Sequence, residues 1–171
     1  NGTLVFDRSD AVTVANFISG TGAVTQTGAG MLTLSGANDY TGLTTVDAGS
    51  VLRISNDTAL GTAAAGTTIA SGAALELTGG ITVADAISVS GTGISDGGAI
   101  RNISGNNDII GVVTLTGATR INSDAGQLTI QGGITGANQN LTVGGAGIVL
   151  VASNITTGTG TLTKDGTGTL G

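Results

Sequence analysis

Carboxylates are the only side chains in this chain equipped for acid–base work, because its 11 acidic residues are accompanied by no His, no Cys and a single Lys. The closest candidate pairs are Asp7 with Asp10 and Asp96 with Asp108. Two carboxylates flanking a glycosidic bond can cleave it as acid and base. An acidic polysaccharide, however, must also be gripped by clustered cations, and neither pair has a neighbouring group of His, Lys or Arg. Solvated turn carboxylates are the expectation, and neither catalysis nor a small-molecule substrate is expected.

Metal and phosphate chemistry fail on similar grounds. A secreted calcium-binding nonapeptide loop reads Gly-Gly-x-Gly-x-Asp-x, and Gly144-Gly-Ala-Gly-Ile148 begins that way. Val149 then stands where the ligand Asp belongs. Ser104-Gly-Asn-Asn-Asp108 offers oxygens, yet an Asn/Asp-rich stretch is the ordinary chemistry of a bend. Gly28-Ala-Gly30 and Gly91-Thr-Gly93 lack the helix and the Lys-Ser/Thr pair of a phosphate cradle. The expected metal and cofactor sites are therefore none.

Three further groups of residues invite a reading. The Thr-x-Thr elements Thr25-Gln-Thr27, Thr114-Leu-Thr116 and Thr159-Gly-Thr-Leu-Thr163 resemble ice-binding threonine arrays, but such an array needs the same face in every coil, and along the sequence these recur irregularly. Tyr40 is expected to pack at a corner with its hydroxyl at the surface. Arg8, Arg53, Arg101 and Arg120 are expected to be solubilising charges or partners of nearby Asp, and no Arg-Gly-Asp tripeptide is present.

The elements that carry these residues are short. Leu32-Thr-Leu34, Leu75-Glu-Leu77, Ile81-Thr-Val83, Ile87-Ser-Val89, Val113-Thr-Leu115, Leu128-Thr-Ile130 and Leu141-Thr-Val143 each place two apolar side chains on one face and a polar one on the other. That alternation is the signature of β-strands, and Gly, Asn, Asp and Ser clusters between them supply the bends. With about three strands per coil the spacing predicts coils of roughly 20 residues and about eight coils in all. Leu34, Leu77, Ile130 and Val143 are then interior, whereas Thr33 and Thr129 face water and should accept Lys.

Composition agrees with thin stacked structure. Among 171 residues there are 32 Gly, no Pro, no Trp, one Tyr and two Phe, so the core must be built from small, closely spaced side chains. Residues 20–32, GTGAVTQTGAGML, return at 158–170 as GTGTLTKDGTGTL, which reads as a repeat of residues 20–157 with a second copy starting at 158 in one solenoid segment spanning 1–171. A shorter echo relates Leu75–Thr82 to Leu128–Thr135. A formal net charge of −6 with scattered Arg makes nucleic acid an unexpected partner. Absent Cys excludes a disulfide framework, and no apolar run is long enough to cross a bilayer as a helix. Three aromatics cannot supply the girdles of a transmembrane barrel. An interior piece of something larger is the expectation.

The stretch from Gly20 to Val51 resembles the autotransporter-associated β-strand repeat, also called the passenger-associated transport repeat, of bacterial surface proteins. The resemblance rests on Thr25, Gly28, Gly30, Leu32, Leu34, Gly36, Asn38, Tyr40, Gly42, Thr44, Val46 and Gly49, with Val24 and Val51 in place of Leu and Gln26 in place of Lys. The second copy keeps Leu162 and Lys164. The resemblance implies a right-handed parallel β-helix in an exported, extracellular passenger, where the repeat aids export and builds a stalk or fibre by head-to-tail stacking. The competing expectation is an adhesin module that contacts host matrix, carbohydrate or neighbouring cells through its lateral surface. Self-stacking along the solenoid axis is the expected partnership.

Overall fold

The computed structural model describes residues 2–171, and in it the alternating runs become parallel strands stacked as a β-solenoid. The first side of the coil is made by Thr3–Phe6, Ala23–Gln26, Thr44–Val46, Thr67–Ile69, Ile87–Gly91, the start of Val113–Ser123, Ile134–Thr135 and Ile155–Thr156. Each pairs in parallel with its equivalents one coil away, which defines eight coils. Val12–Val14, Leu32–Leu34, Val51–Ile54, Ala74–Thr78, Ile100–Ser104, the end of Val113–Ser123, Leu141–Gly145 and Leu162–Lys164 make the second side. The long strand Val113–Ser123 bends from the first side to the second in coil 6.

The third side completes the expected count of about three strands per coil in coils 4 to 8. Thr82–Val83, Asn106–Ile109, Gln127–Ile130, Ile148–Val151 and Thr169–Leu170 form it in coils 4 to 8. Coils 1 to 3 contain two strands each among the described residues, and side chains close their third side instead.

Alternation drives the packing. Inward residues stack in columns such as Leu32, Leu52, Leu75, Ile100, Ile121 and Val143, joined pairwise by the strand register. Leu34, Leu77, Ile130 and Val143 are fully buried, as their alternation requires. Burying a Leu or Ile side chain contributes about 1.5–3 kcal/mol, so the aliphatic columns supply the main favourable term in a chain with few aromatics. Thr33 is half-buried on the outside, but Thr129 is not open to solvent: Gln127 folds over it and donates an Nε2 hydrogen bond of 2.9 Å to its hydroxyl.

Coil length varies. The first-side register steps by 20 residues from Leu4 to Val24 and from Val24 to Thr44, by 23 from Thr44 to Thr67, by 26 from Ile87 to Val113 and by 21 from Val113 to Ile134. Extra residues emerge as the exposed Ala63-Ala-Ala65 loop and the Gly91–Gly98 excursion, which contains the short 3-10 turn Ile94–Asp96. The two long-range sequence echoes are also displaced around the coil. Ala23–Gln26 lies on the first side and Leu32–Leu34 on the second, whereas their counterparts around Leu162–Lys164 and Thr169–Leu170 lie on the second and third. The Leu75 and Leu128 echo is rotated by one side in the same direction.

Candidate functional site

The candidate chemistry dissolves into structural bonding. Arg8 donates to both carboxylate oxygens of Asp10 at 2.8 and 2.7 Å on the exposed surface, and that bond holds the Asp10 carboxyl below its ordinary range. Asp96 lies in the loop before Ile100–Ser104, while Asp108 sits in a third-side strand, so the structure does not bring them together as a pair. Val149 is fully buried in the core, which is why the calcium-loop pattern ends there. Among the described residues no cluster of three potential metal-ligating side chains occurs.

Ser104–Asp108 is a stapled corner. The buried Asn107 accepts the backbone N–H groups of Gly80 and Ile81 at 2.9 and 2.8 Å and donates to Ser104 O and to Asn102 Oδ1. Asn102 in turn donates to Ser123 Oγ and to the carbonyls of Gly105 and Ala125. These amides spend their hydrogen bonds joining coils 4, 5 and 6.

The stretch that resembles a transport repeat is built the same way. A Cβ on Gly30 would lie 2.1 Å from Asp10 O, and one on Gly42 would lie 2.2 Å from Gly22 O, so those positions must be glycine for adjacent coils to close. Gly49 differs: its surroundings are open, and its φ of +85° sets the residue type. The backbone N–H groups of Gly28 and Gly30 donate to the Phe6 and Arg8 carbonyls of coil 1, which leaves no phosphate cradle. Buried Gln26 donates to the carbonyls of Gly28 and Gly30 at 2.9 and 2.7 Å. Lys164, its counterpart in the second copy, donates to the carbonyls of Asp165 and Gly166.

Asn38 and Tyr40 close the third side of these coils. Asn38 accepts the Ile18 N–H of coil 1 at 2.9 Å and donates to Ala59 O of coil 3 at 2.7 Å, so one side chain bridges three levels. Tyr40 is only 1% exposed, which corrects the expectation of a surface hydroxyl. Its OH shares a 2.6 Å hydrogen bond with Thr44 Oγ1, and burial pushes the phenol up to about 12. One coil register on, Thr67 donates at 2.7 Å to the buried Asp85, whose carboxyl is pushed up to about 6 by desolvation, partly countered by that hydrogen bond. An apolar hollow of about 350 Å³ lies beside Tyr40, bounded by Leu4, Ile18 and Val24.

Two outward columns complete the lateral surface. On the second side, outward positions in coils 3 to 5 carry Arg53, Glu76 and Arg101 in register. Arg53 bonds Glu76 at 2.6 Å, Arg101 reaches the other Glu76 oxygen at 3.4 Å, and Arg101 also pairs with Asp124 at 2.6 Å. Arg120 spans two coils to Asp165 at 2.7 Å, over Gly144, where a Cβ would lie 2.3 Å from the guanidinium. All four Arg therefore have acidic partners. Charge pairing was legible only as proximity in sequence; the ladder needs the coil register to be seen.

On the first side the outward column reads Thr25, Thr45, Thr68, Ser88, Thr114, Thr135 and Thr156, one residue per coil in continuous register. This corrects the apparent irregularity of the threonines, which arises from unequal loop lengths. Thr25 and Thr114 share this face, whereas Thr159 and Thr161 precede Leu162–Lys164 and Thr163 belongs to the second side.

The passenger-associated transport repeat matches residues 24–54, a span that begins within Ala23–Gln26 and ends with Val51–Ile54. A curated relative, the adhesin BmaC autotransporter of Brucella suis biovar 1 (strain 1330), is 38% identical over 118 residues, covering 67% of this chain and 3% of that protein. The chain thus spans a very small part of its relative's length. No solved structure matches it.

Proposed function

From a chain that carries a passenger-associated transport repeat, we propose a structural module of a large extracellular bacterial protein: a non-enzymatic length of solenoid that spaces other regions of an autotransporter-like passenger from the cell surface. One observation carries this reading. The characteristic residues of the repeat, Gly30, Asn38, Tyr40 and Gly42, and Gln26 in the place of its Lys, all spend their chemistry on contacts within or between coils. At about 4.8 Å per coil, eight coils make a rod of about 38 Å. Residues 20–157 would recur head to tail, a reading supported by the return of residues 20–32 at 158–170.

The likeness to that repeat and to an autotransporter adhesin supports outer-surface location and a role in export as parts of this proposal. The test is length: tandem fusions of one, two and three copies of the chain are measured by small-angle X-ray scattering. A maximum dimension that grows by about 40 Å per copy at constant cross-section supports the spacer. Growth in cross-section without growth in length overturns it.

A second reading, an adhesive lateral surface, is favoured by one feature. Exposed Leu43, Ile110 and Val112 lie with Ala63, Ala64, Ala65, Ala84 and Ala86 along the corner that leads into the first side of coils 3 to 6. Retention of purified chain on matrix or glycan arrays, lost in Val112→Lys, would establish it.

A further inference from the structure

We propose that the outward first side of coils 4 to 8 is an ice-binding face, a ladder of methyl and hydroxyl groups that adsorbs to ordered water. This goes beyond the spacer reading and does not depend on it. Thr68, Ser88, Thr114, Thr135 and Thr156 follow one another in strict strand register, with no coil skipped. Their spacing is that of parallel strands, about 4.8 Å, which is close to the repeat of oxygen atoms within ice layers. Each threonine presents one methyl and one hydroxyl, and β-branching restricts its χ1 so that the array is held without a further entropic cost on binding.

Most of the hydroxyls are available. Those of Thr68 and Ser88 form no hydrogen bond within the described protein, Thr135 makes a long contact of 3.4 Å to Thr114 along the ladder itself, and only Thr156 at the last coil donates to a backbone carbonyl, Ile134 O, at 3.3 Å. The flanks suit the same ligand. Gly66, Ala86, Val112 and Gly133 border the ladder on one edge, and Ala70, Ser90 and Thr116 border it on the other. No ionised residue lies on either flank in these coils, whereas Asp47 stands beside Thr45 in coil 3. The absence of charge and of aromatic platforms separates this face from one made for anionic or glycan ligands.

The test uses the whole chain and ice itself. Fluorescently labelled protein is partitioned into a slowly grown ice hemisphere beside a labelled inert globular protein, and inhibition of ice recrystallisation is scored in parallel. Wild type should be enriched in ice at least fivefold over the inert protein. The Thr68→Lys/Thr114→Lys variant should fall to the inert level while Thr33→Lys, on the second side, stays at the wild-type level, with circular dichroism matching in all three. If the paired variant fails to fold, Thr135→Lys/Thr156→Lys replaces it, since both side chains already project into solvent. Exclusion of the wild-type chain from ice overturns the proposal, and so does equal adsorption by a folded ladder variant.

Discussion

Coils 2 and 3 and coils 5 to 7 enclose the same kind of aliphatic core with different third walls. In the first region Asn38 and Tyr40 do with side chains what Asn106–Ile109, Gln127–Ile130 and Ile148–Val151 do with backbone ladders in the second. A strand satisfies its own N–H and C=O groups through its neighbours and asks only for alternation. An irregular wall keeps some of these bonds, such as Asp39 N–H to Ile18 O and Thr41 N–H to Gly20 O, and must satisfy the rest with chosen side chains. The difference teaches why one region carries a recognisable family motif and the other does not: where the ladder is missing the wall itself demands specific polar residues such as Asn38, whereas in the ladder such demands concentrate at the Asn102–Asn107 corner.

The largest expected effect breaks the strand-built region. Ile130→Asp places a charge in a fully buried column and should cost more than about 4 kcal/mol, read as loss of cooperative thermal unfolding by circular dichroism. In the side-chain-built region Tyr40→Ala should cost about 3–5 kcal/mol through the cavity it leaves, while Tyr40→Phe, losing only the bond to Thr44, should cost about 1 kcal/mol in urea titration. Asn38→Ala should cost about 2–3 kcal/mol, since it strands the Ile18 N–H and the Ala59 carbonyl; recovery of stability in Asn38→Asp would sink the bridge, because a carboxylate cannot donate to Ala59.

Asp85 sharpens the comparison at the boundary between the regions. Its folded carboxyl holds its proton up to about pH 6 through burial, so the native state binds a proton that the unfolded state has already released. Its contribution is therefore most favourable below about pH 4 and declines as pH rises through 6, beyond which the penalty is constant. The groups facing it are the Thr67 hydroxyl and, farther away, the neutral Tyr40 phenol. Asp85→Asn should stabilise the chain by about 2 kcal/mol at pH 7 and by nothing below pH 4. Equal denaturation midpoints for the two proteins across that range would remove the effect.

Much of this architecture was legible in the residues. Two apolar positions separated by one polar residue placed Leu34, Leu77, Ile130 and Val143 inside, because a strand's period of two leaves no alternative for a sheet with one wet face. The spacing of Gly28, Gly30, Gly36, Asn38 and Tyr40 marked the family, yet not the burial of Tyr40: alternation says which residues share a face, and the wall around Tyr40 is not a strand. The threonine ladder and the Arg53–Glu76–Arg101 column were hidden for a different reason. Steps of 20, 23 and 26 residues between aligned positions carry no common period, so side chains stacked in space lose their phase along the chain. Thr129 escaped as well, since its cover comes from the side chain of Gln127, two residues away on the same face.

The reach of Asn38 across three levels has a mechanical meaning. A solenoid pulled from its ends unspools, and a coil of 20 residues that pays out fully adds up to about 70 Å of contour. With Ile18 and Ala59 tied to the same amide, coils 1 to 3 resist as one clasp, so under tension they should let go in a single long step rather than in three short ones.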